Sequence, residues 1–490
     1  MTAQLWIVAA PALVVVVGVL VLRRAAWQVA VAGMGAVTLL LVGLLGTRVL
    51  VEAVPGSFGA AVLLTADAGL VIVPGLLLNE IMKRTGAHAE IVGWIEGWPV
   101  SAGTAALILT TGFAPALESI TGFGVSLLVT VPVLLQLLPR AKALTASLLS
   151  LTIMPWGTAG LATTVAADLS GLPVAEVGVR SALYSFAIFP IFAVLVACVV
   201  AAPAERRRVT TIGAGLGLLF STTLLGMNAI ALVPLAGVTA GVVTGVTGYL
   251  VLVGRRSMVT VGAPADHDVG GRAVPWRALG PFIAVVVSIL VVRAVDAVTG
   301  WGSLVAVHVD RVSFEPLLSP GLALLVVALV AGSAVLDRSS VAGTALGSWQ
   351  PLVALFGFAA TAQLMNHSGA VGELAELVGR AGVTGFIVFV PLLAVLTGYL
   401  VGSNTGANAL MVLAQHGIGA EFDAGAQAVA LQNSGAGHAL FASVPETLLV
   451  LAVAGSGTRQ EETTLLRFGF KVLGVVLAVM FAGAAITVAV

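Results

Sequence analysis

The chain has 490 residues, 59% of them hydrophobic and only 9% charged, with 22 basic and 22 acidic side chains. Soluble chains carry about 25% charged residues, so the composition leaves no room for a soluble domain, and the balanced charge gives no sign of a nucleic-acid partner. The single cysteine, Cys198, excludes an internal disulfide or a cysteine metal centre.

Apolar runs near 20 residues, the length that crosses a bilayer, recur from end to end. The first, 5–22, is followed by Arg23-Arg24 and not preceded by a basic region, so it reads as a retained span, not a signal peptide. Spans at 27–47 and 58–82 come next. Segment 101–138 is interrupted by Ser119-Ile120-Thr121-Gly122, beside the carboxylate Glu118. An uncompensated charge at mid-bilayer costs about 2.5–3.5 kcal/mol, so such a group usually binds, pairs or carries a proton. We read 101–138 as a re-entrant hairpin, because non-helical backbone at membrane depth is tolerated only where it lines a cavity. The span at 143–165 contains Thr152-Ile153-Met154-Pro155-Trp156-Gly157, where Pro155 removes a helical hydrogen bond. Spans at 181–203, 209–226 and 228–253 lead to the longest polar stretch, the loop 254–277. Beyond it lie spans at 278–297, 319–336 and 345–365, then a second interrupted segment, 383–418, with its turn at Ser403-Asn404-Thr405-Gly406. The last two spans are 427–453, with a break expected at Asn433-Ser434-Gly435-Ala436-Gly437-His438, and 467–489.

The pattern predicts an all-α polytopic membrane protein of about twelve spans and two re-entrant hairpins. Basic residues cluster on one side: Arg23-Arg24, Lys83-Arg84, Arg140 with Lys142, Arg206-Arg207-Arg208, Arg255-Arg256, Arg338, and Arg459 with Arg467. The opposite loops hold fewer: Arg48, Arg180, Arg293 with Arg311, and Arg380. Lys/Arg excess marks the cytoplasm, which puts both termini outside. Met82-Lys83-Arg84-Thr85-Gly86-Ala87 is echoed by Met365-Asn366-His367-Ser368-Gly369-Ala370, and Ser119-x-Thr121-Gly122 by Ser403-x-Thr405-Gly406, at nearly one offset. We therefore expect two inverted repeats. Residues 1–208 form the first (five spans and hairpin 101–138), 209–277 link the halves, and 278–490 form the second (five spans and hairpin 383–418). An odd span count per half gives opposite orientation, as in many secondary transporters.

The candidate substrate site gathers Ser119, Thr121, Gly122, Thr152, Ser403, Asn404, Thr405, Asn433 and Ser434. Hydroxyls, amides and helix N-termini hold an anion without formal positive charge, although Ser and Thr at such turns also serve as plain helix caps. The breaks could equally be kinks for close packing. Glu118 and His438 are the proton-coupling candidates, and a structural carboxylate is the alternative for Glu118. Asp67 and Glu446 are further intramembrane acids. No phosphate-binding loop, dinucleotide fingerprint or nucleophile elbow is present, so no cofactor, metal or enzyme activity is expected.

At these residues the chain resembles the L-lactate permease family of bacterial carboxylate transporters, from about residue 60 to residue 471. The family's E-G-x-x-G-F-G is similar to Glu118-Ser119-Ile120-Thr121-Gly122-Phe123-Gly124. Its N-T-A-P aligns with Thr152-Ile153-Met154-Pro155, and its T-G-S-D-T-x-x-N-x-L with the stretch from Val401 to Leu410. Its N-S-x-G-G resembles Asn433-Ser434-Gly435-Ala436-Gly437, and Glu461-Glu462 to Arg467 echo a further pattern. A lysine common downstream in the family falls at Phe441 here. The resemblance implies import of lactate, glycolate or similar 2-hydroxy acids by proton symport, and an elevator motion of paired hairpins. It also implies a multi-pass protein of the bacterial inner membrane. Expected partners are a small organic anion, the coupling proton and the lipid bilayer, with a homodimer allowed. The rivals are a sodium-coupled carrier, a channel and an integral membrane enzyme.

Overall fold

A computed structural model describes residues 3–122, 124–254, 273–309, 312–455 and 457–489. Residues 255–272 of the expected loop 254–277 fall outside the described residues, as do Phe123 and Arg311.

The apolar runs become helices, since a backbone in lipid must satisfy its own hydrogen bonds. The first half opens with α1 (Ala3–Val16), α2 (Ala26–Leu45) and the long α3 (Thr47–Arg84). A short α4 (Ala87–Glu96) follows. The first hairpin is one helix made of α5 (Ala102–Ile108), a π-helical stretch at Leu109–Phe113 and α6 (Ala114–Thr121), followed after a turn by the returning α7 (Leu127–Leu137). Then α8 (Arg140–Leu149) tightens into a 3-10 stretch at Ser150–Trp156 before α9 (Gly157–Ser170). The half ends with α10 (Val174–Ser185) and α11 (Ile188–Val200), bent by 44°. Two linking helices, α12 (Arg206–Ala229) and α13 (Val233–Gly248), pack against the first half.

The second half opens with α14 (Trp276–Thr299), a small antiparallel pair β1 (Val307–Val309) and β2 (Val312–Phe314), and α15 (Pro320–Gly332). Helices α16 (Arg338–Gly347), α17 (Trp349–His367) and the short α18 (Ala370–Gly379) lead to the second hairpin, α19 (Gly382–Val401) and α20 (Asn404–Ala420). A bent pair, α21 (Gly425–Ala439) and α22 (Val444–Val453), turns by 45°, and α23 (Arg459–Thr487) closes the chain.

Among the described residues, ten helices are long and apolar enough to cross a membrane, or twelve with each bent pair taken as one span. The protein is thus an all-α polytopic membrane protein, as the sequence implies. The membership of that set differs from the expected one. The first arms of the two hairpins, Ala102–Thr121 and Gly382–Val401, are each 20 residues, while Pro320–Gly332 is a shorter apolar helix. At about 1.5 Å per residue, 20 residues reach about 30 Å, the thickness of the hydrocarbon core.

The same local events recur in both halves. A left-handed glycine (Gly86, Gly369) precedes a ten-residue helix with an acid in its first turn (Glu90, Glu373). A second positive-φ glycine (Gly122, Gly402) ends the first arm of each hairpin. Helix α3 packs on α17 in the centre, and each also packs on a helix from the opposite half: α3 on α15, and α17 on α2.

The first hairpin is seated on α13 through a glycine seam. A Cβ at Gly241 would stand 2.6 Å from the Ala116 nitrogen, one at Gly245 3.1 Å from the Phe113 ring, and one at Gly237 would overlap the Ser119 hydroxyl. Small residues at every fourth position let two backbones approach this closely in a membrane.

Candidate functional site

The second hairpin tip is built by Gly402, left-handed at φ +64°, followed by Ser403 in extended conformation as the N-cap of α20. Ser403 Oγ accepts from the Gly406 N–H at 3.3 Å. Ser403, Thr405 and Gly406 line a cavity of about 300 Å³, together with Trp27, Gln350 and Pro445. No Lys or Arg is among its lining residues. The positive end of α20 therefore supplies the cavity's electrostatic character.

Asn404 turns away from that cavity into a buried polar network centred on Asn433. The Asn433 Oδ1 accepts from Asn404 Nδ2 at 3.1 Å and Asn408 Nδ2 at 2.8 Å. The Asn433 Nδ2 donates to Thr163 Oγ1 and Ser181 Oγ, each at 3.0 Å. Asn408 Nδ2 also donates to the Ala162 carbonyl, and Ser434 Oγ to the Ser181 carbonyl. His438 Nε2 and Ser185 Oγ are hydrogen-bonded at 2.8 Å. Every one of these side chains but those of the two tip residues Ser403 and Thr405 is buried. Four hydrogen bonds satisfy the Asn433 amide completely, so it holds α9, α10, α20 and α21 together.

Asn433–His438 is not a break, contrary to expectation. Helix α21 runs unbroken through it, and the backbone departs from the helix only at Leu440–Ser443. The glycines there serve close packing instead. A Cβ on Gly435 would stand 2.8 Å from Ala394 Cβ, and one on Gly437 2.5 Å from Pro155 Cγ and 2.9 Å from Asn404 Nδ2. Phe441 lies in the real break, 1% exposed, with its ring 5.2 Å from that of Phe192. It does not line the 300 Å³ cavity.

The first tip is organised differently. Ser119 and Thr121 sit in the last turn of α6, and their hydroxyls donate to the Pro115 and Leu117 carbonyls, each at 2.8 Å. Glu118 is fully buried. Its Oε1 accepts from the Gly124 N–H at 2.9 Å, and its Oε2 from the Ser126 N–H at 3.2 Å and the Ser126 hydroxyl at 2.7 Å. The positive end of α7 is thus occupied by a carboxylate of the chain itself. Gly122 has φ +70°, and a Cβ there would overlap the Thr158 hydroxyl. Only glycine fits.

Thr158 belongs to the break near Pro155. Thr158, Ala159 and Gly160 have φ of +54°, +54° and +77°, three consecutive left-handed residues at the start of α9. A β-branched residue there is costly, of order 1–3 kcal/mol, and such strain collects at functional sites. This segment touches the first tip through Thr158 and α21 through Pro155. Thr152 is buried beside it, against a much smaller void with Pro115 and Phe189.

The structure therefore brings Asn404, Asn433 and Ser434 into one network, and Ser403 and Thr405 to one cavity. Ser119 and Thr121 do not line that cavity. Sequence reasoning missed Asn408, Thr163, Ser181 and Ser185. Asn404/Asn408 and Ser181/Ser185 are both spaced by four, a polar stripe on one helix face that was available as a signal. Among the described residues no group of three or more His, Cys, Asp or Glu side chains is arranged to hold a metal ion.

The L-lactate permease family model matches residues 273–490. The likeness to the L-lactate permease family model is thus confined to the second half of the chain. A curated L-lactate permease of Streptococcus iniae is 25% identical to this chain over 328 residues, 62% of this chain and 67% of that protein. The second hairpin, α20 and the Asn433 element fall inside the segment that the family model matches, whereas Glu118 and the left-handed run at Thr158 lie outside it.

Proposed function

We propose that the chain is a secondary active transporter that imports small monocarboxylates, lactate or glycolate first, by proton symport. The observation that carries this reading is the second hairpin tip. The N-terminus of α20 faces a cavity of about 300 Å³ lined by Ser403 and Thr405 and by no basic residue. Such a site suits a small anion held by N–H groups and hydroxyls. The printed name of the relative supplies lactate as the first substrate to try.

In this reading Asn404, Asn433 and Ser434 fix the tip from behind, and Ser119, Thr121, Gly122 and Thr152 form the corresponding support of the first hairpin. Residues 1–208 and 278–490 are inverted repeats joined by 209–277, and an elevator motion of the hairpins exposes the tip alternately to each side. The recurrence of Gly86–Glu90 at Gly369–Glu373 favours the repeat. Both termini lie outside. Outside-only labelling of a cysteine at position 207, in a Cys198→Ala background, would reverse that orientation.

A sodium-coupled carrier is the second reading. Two buried amide oxygens, Asn404 Oδ1 and Asn408 Oδ1, have no donor partner among the described residues, and a cation is one group that would satisfy them. Vesicles reconstituted with the protein separate the two readings. An imposed proton gradient should accumulate labelled lactate above the bath. Accumulation only under a sodium gradient favours the second reading, and equilibration without accumulation makes the protein a channel.

A further inference from the structure

We infer that the coupling proton is held by Glu446, in a carboxyl pair with Glu118. The inference rests on the proton-symport reading and names its site. Glu446 is on the first turn of α22, and its backbone N–H donates to Ser443 Oγ. The residue is 8% exposed, and its Oε2 is buried with no hydrogen-bond partner among the described residues. That oxygen is aimed at the first hairpin tip: a Cβ on Gly124 would stand 3.4 Å from it. Gly124 in turn donates its N–H to Glu118 Oε1. Both carboxyl groups thus meet one glycine, from opposite halves of the chain.

Their hydrogen bonding divides the roles. Glu118 receives three donors, two backbone N–H groups and the Ser126 hydroxyl, which favour the ionised form. Glu446 Oε2 receives none from the described residues. Two carboxylates close together in a dry interior do not both stay ionised, and the proton goes to the one without donors. The cations on neighbouring elements are engaged or turned away. Arg140 pairs with Glu461 at 2.7 Å, and Lys142 donates to the Ala201 carbonyl. Arg459, Arg467 and Lys471 on α23 are exposed. Helix α7 carries no charged residue. Glu118 is therefore the positioning residue, and its anion raises the demand for a proton at Glu446. Because Glu446 belongs to α22 and Gly124 to the first hairpin, any relative movement of the two changes the pair and links the proton to the hairpin's position.

The test uses full-length protein in vesicles and in detergent. Glu446→Gln is close to isosteric and should abolish proton-driven accumulation of lactate at least tenfold, while counterflow exchange persists. In the infrared, the wild type should show a protonated carboxyl band that Glu446→Gln removes and Glu118→Gln alters without removing. The band reports on Glu446 whether or not lactate is the substrate. If the wild type exchanges no lactate, the transport reading fails while the band still decides this one. Proton-driven accumulation of wild-type size in Glu446→Gln, or a protonated carboxyl band unchanged by that substitution, overturns the assignment.

Discussion

Removing the amide at Asn433 is the most demanding test of the polar centre. Asn433→Ala deletes four hydrogen bonds at once, from Asn404 and Asn408 and to Thr163 and Ser181. In membrane proteins one such bond is worth about 0.6 kcal/mol on average, and a typical intramolecular bond about 0.5–1.5 kcal/mol. Four of them give a loss of about 2.4 to 6 kcal/mol, with the upper end expected because Thr163, Ser181, Asn404 and Asn408 are all buried and each would lose a partner. Equilibrium unfolding of the purified protein in micelles measures this loss. A double-mutant cycle with Ser181→Ala should return a coupling of about 0.5–1.5 kcal/mol. Since Asn404 also loses its anchor, half-saturation for lactate should rise several-fold. A loss below about 1 kcal/mol, well short of the four-bond sum, would mean that the network is not closed by Asn433 and would refute the reasoning.

Other substitutions probe the remaining parts. Ser403→Ala removes the α20 cap and should cost about 0.5–2 kcal/mol, with a several-fold rise in half-saturation in uptake assays. Gly122→Ala puts a methyl group into the Thr158 hydroxyl at φ +70°, so it should abolish uptake and lower the yield of folded protein on size-exclusion chromatography. Gly241→Leu should do the same by driving α13 off the Ala116 backbone. Phe441→Lys should destabilise the protein without tightening carboxylate binding, because the ring is buried against Phe192; tighter binding in a competition assay would contradict that.

The spans were legible because lipid leaves the backbone few choices: an apolar run of sufficient length is a helix. The second tip was legible too, since Gly402-Ser403 is a left-handed stop followed by an N-cap, both written in local residue preferences. The break misplaced at Asn433–His438 shows where this logic ends. A glycine in a membrane helix weakens it or lets a neighbour approach, and only the neighbour decides. Here Pro155 and Ala394 occupy the space that Gly437 and Gly435 leave. The left-handed run at Thr158-Ala159-Gly160 was not legible, because Thr and Ala avoid positive φ and only surrounding structure imposes it. The donors to Glu118 lay six and eight residues ahead, at Gly124 and Ser126, across a turn whose shape local preference does not specify.

The family-matched segment, 273–490, is not chemically complete in itself. Asn433 and Asn408 spend half their hydrogen bonds on Thr163, Ser181 and Ala162, which lie far upstream. A substitution at Ser181 must be answered at position 433, and one at position 433 must be answered twice over in the other half. The two halves of the chain are thereby joined at this amide as well as by their packed helices.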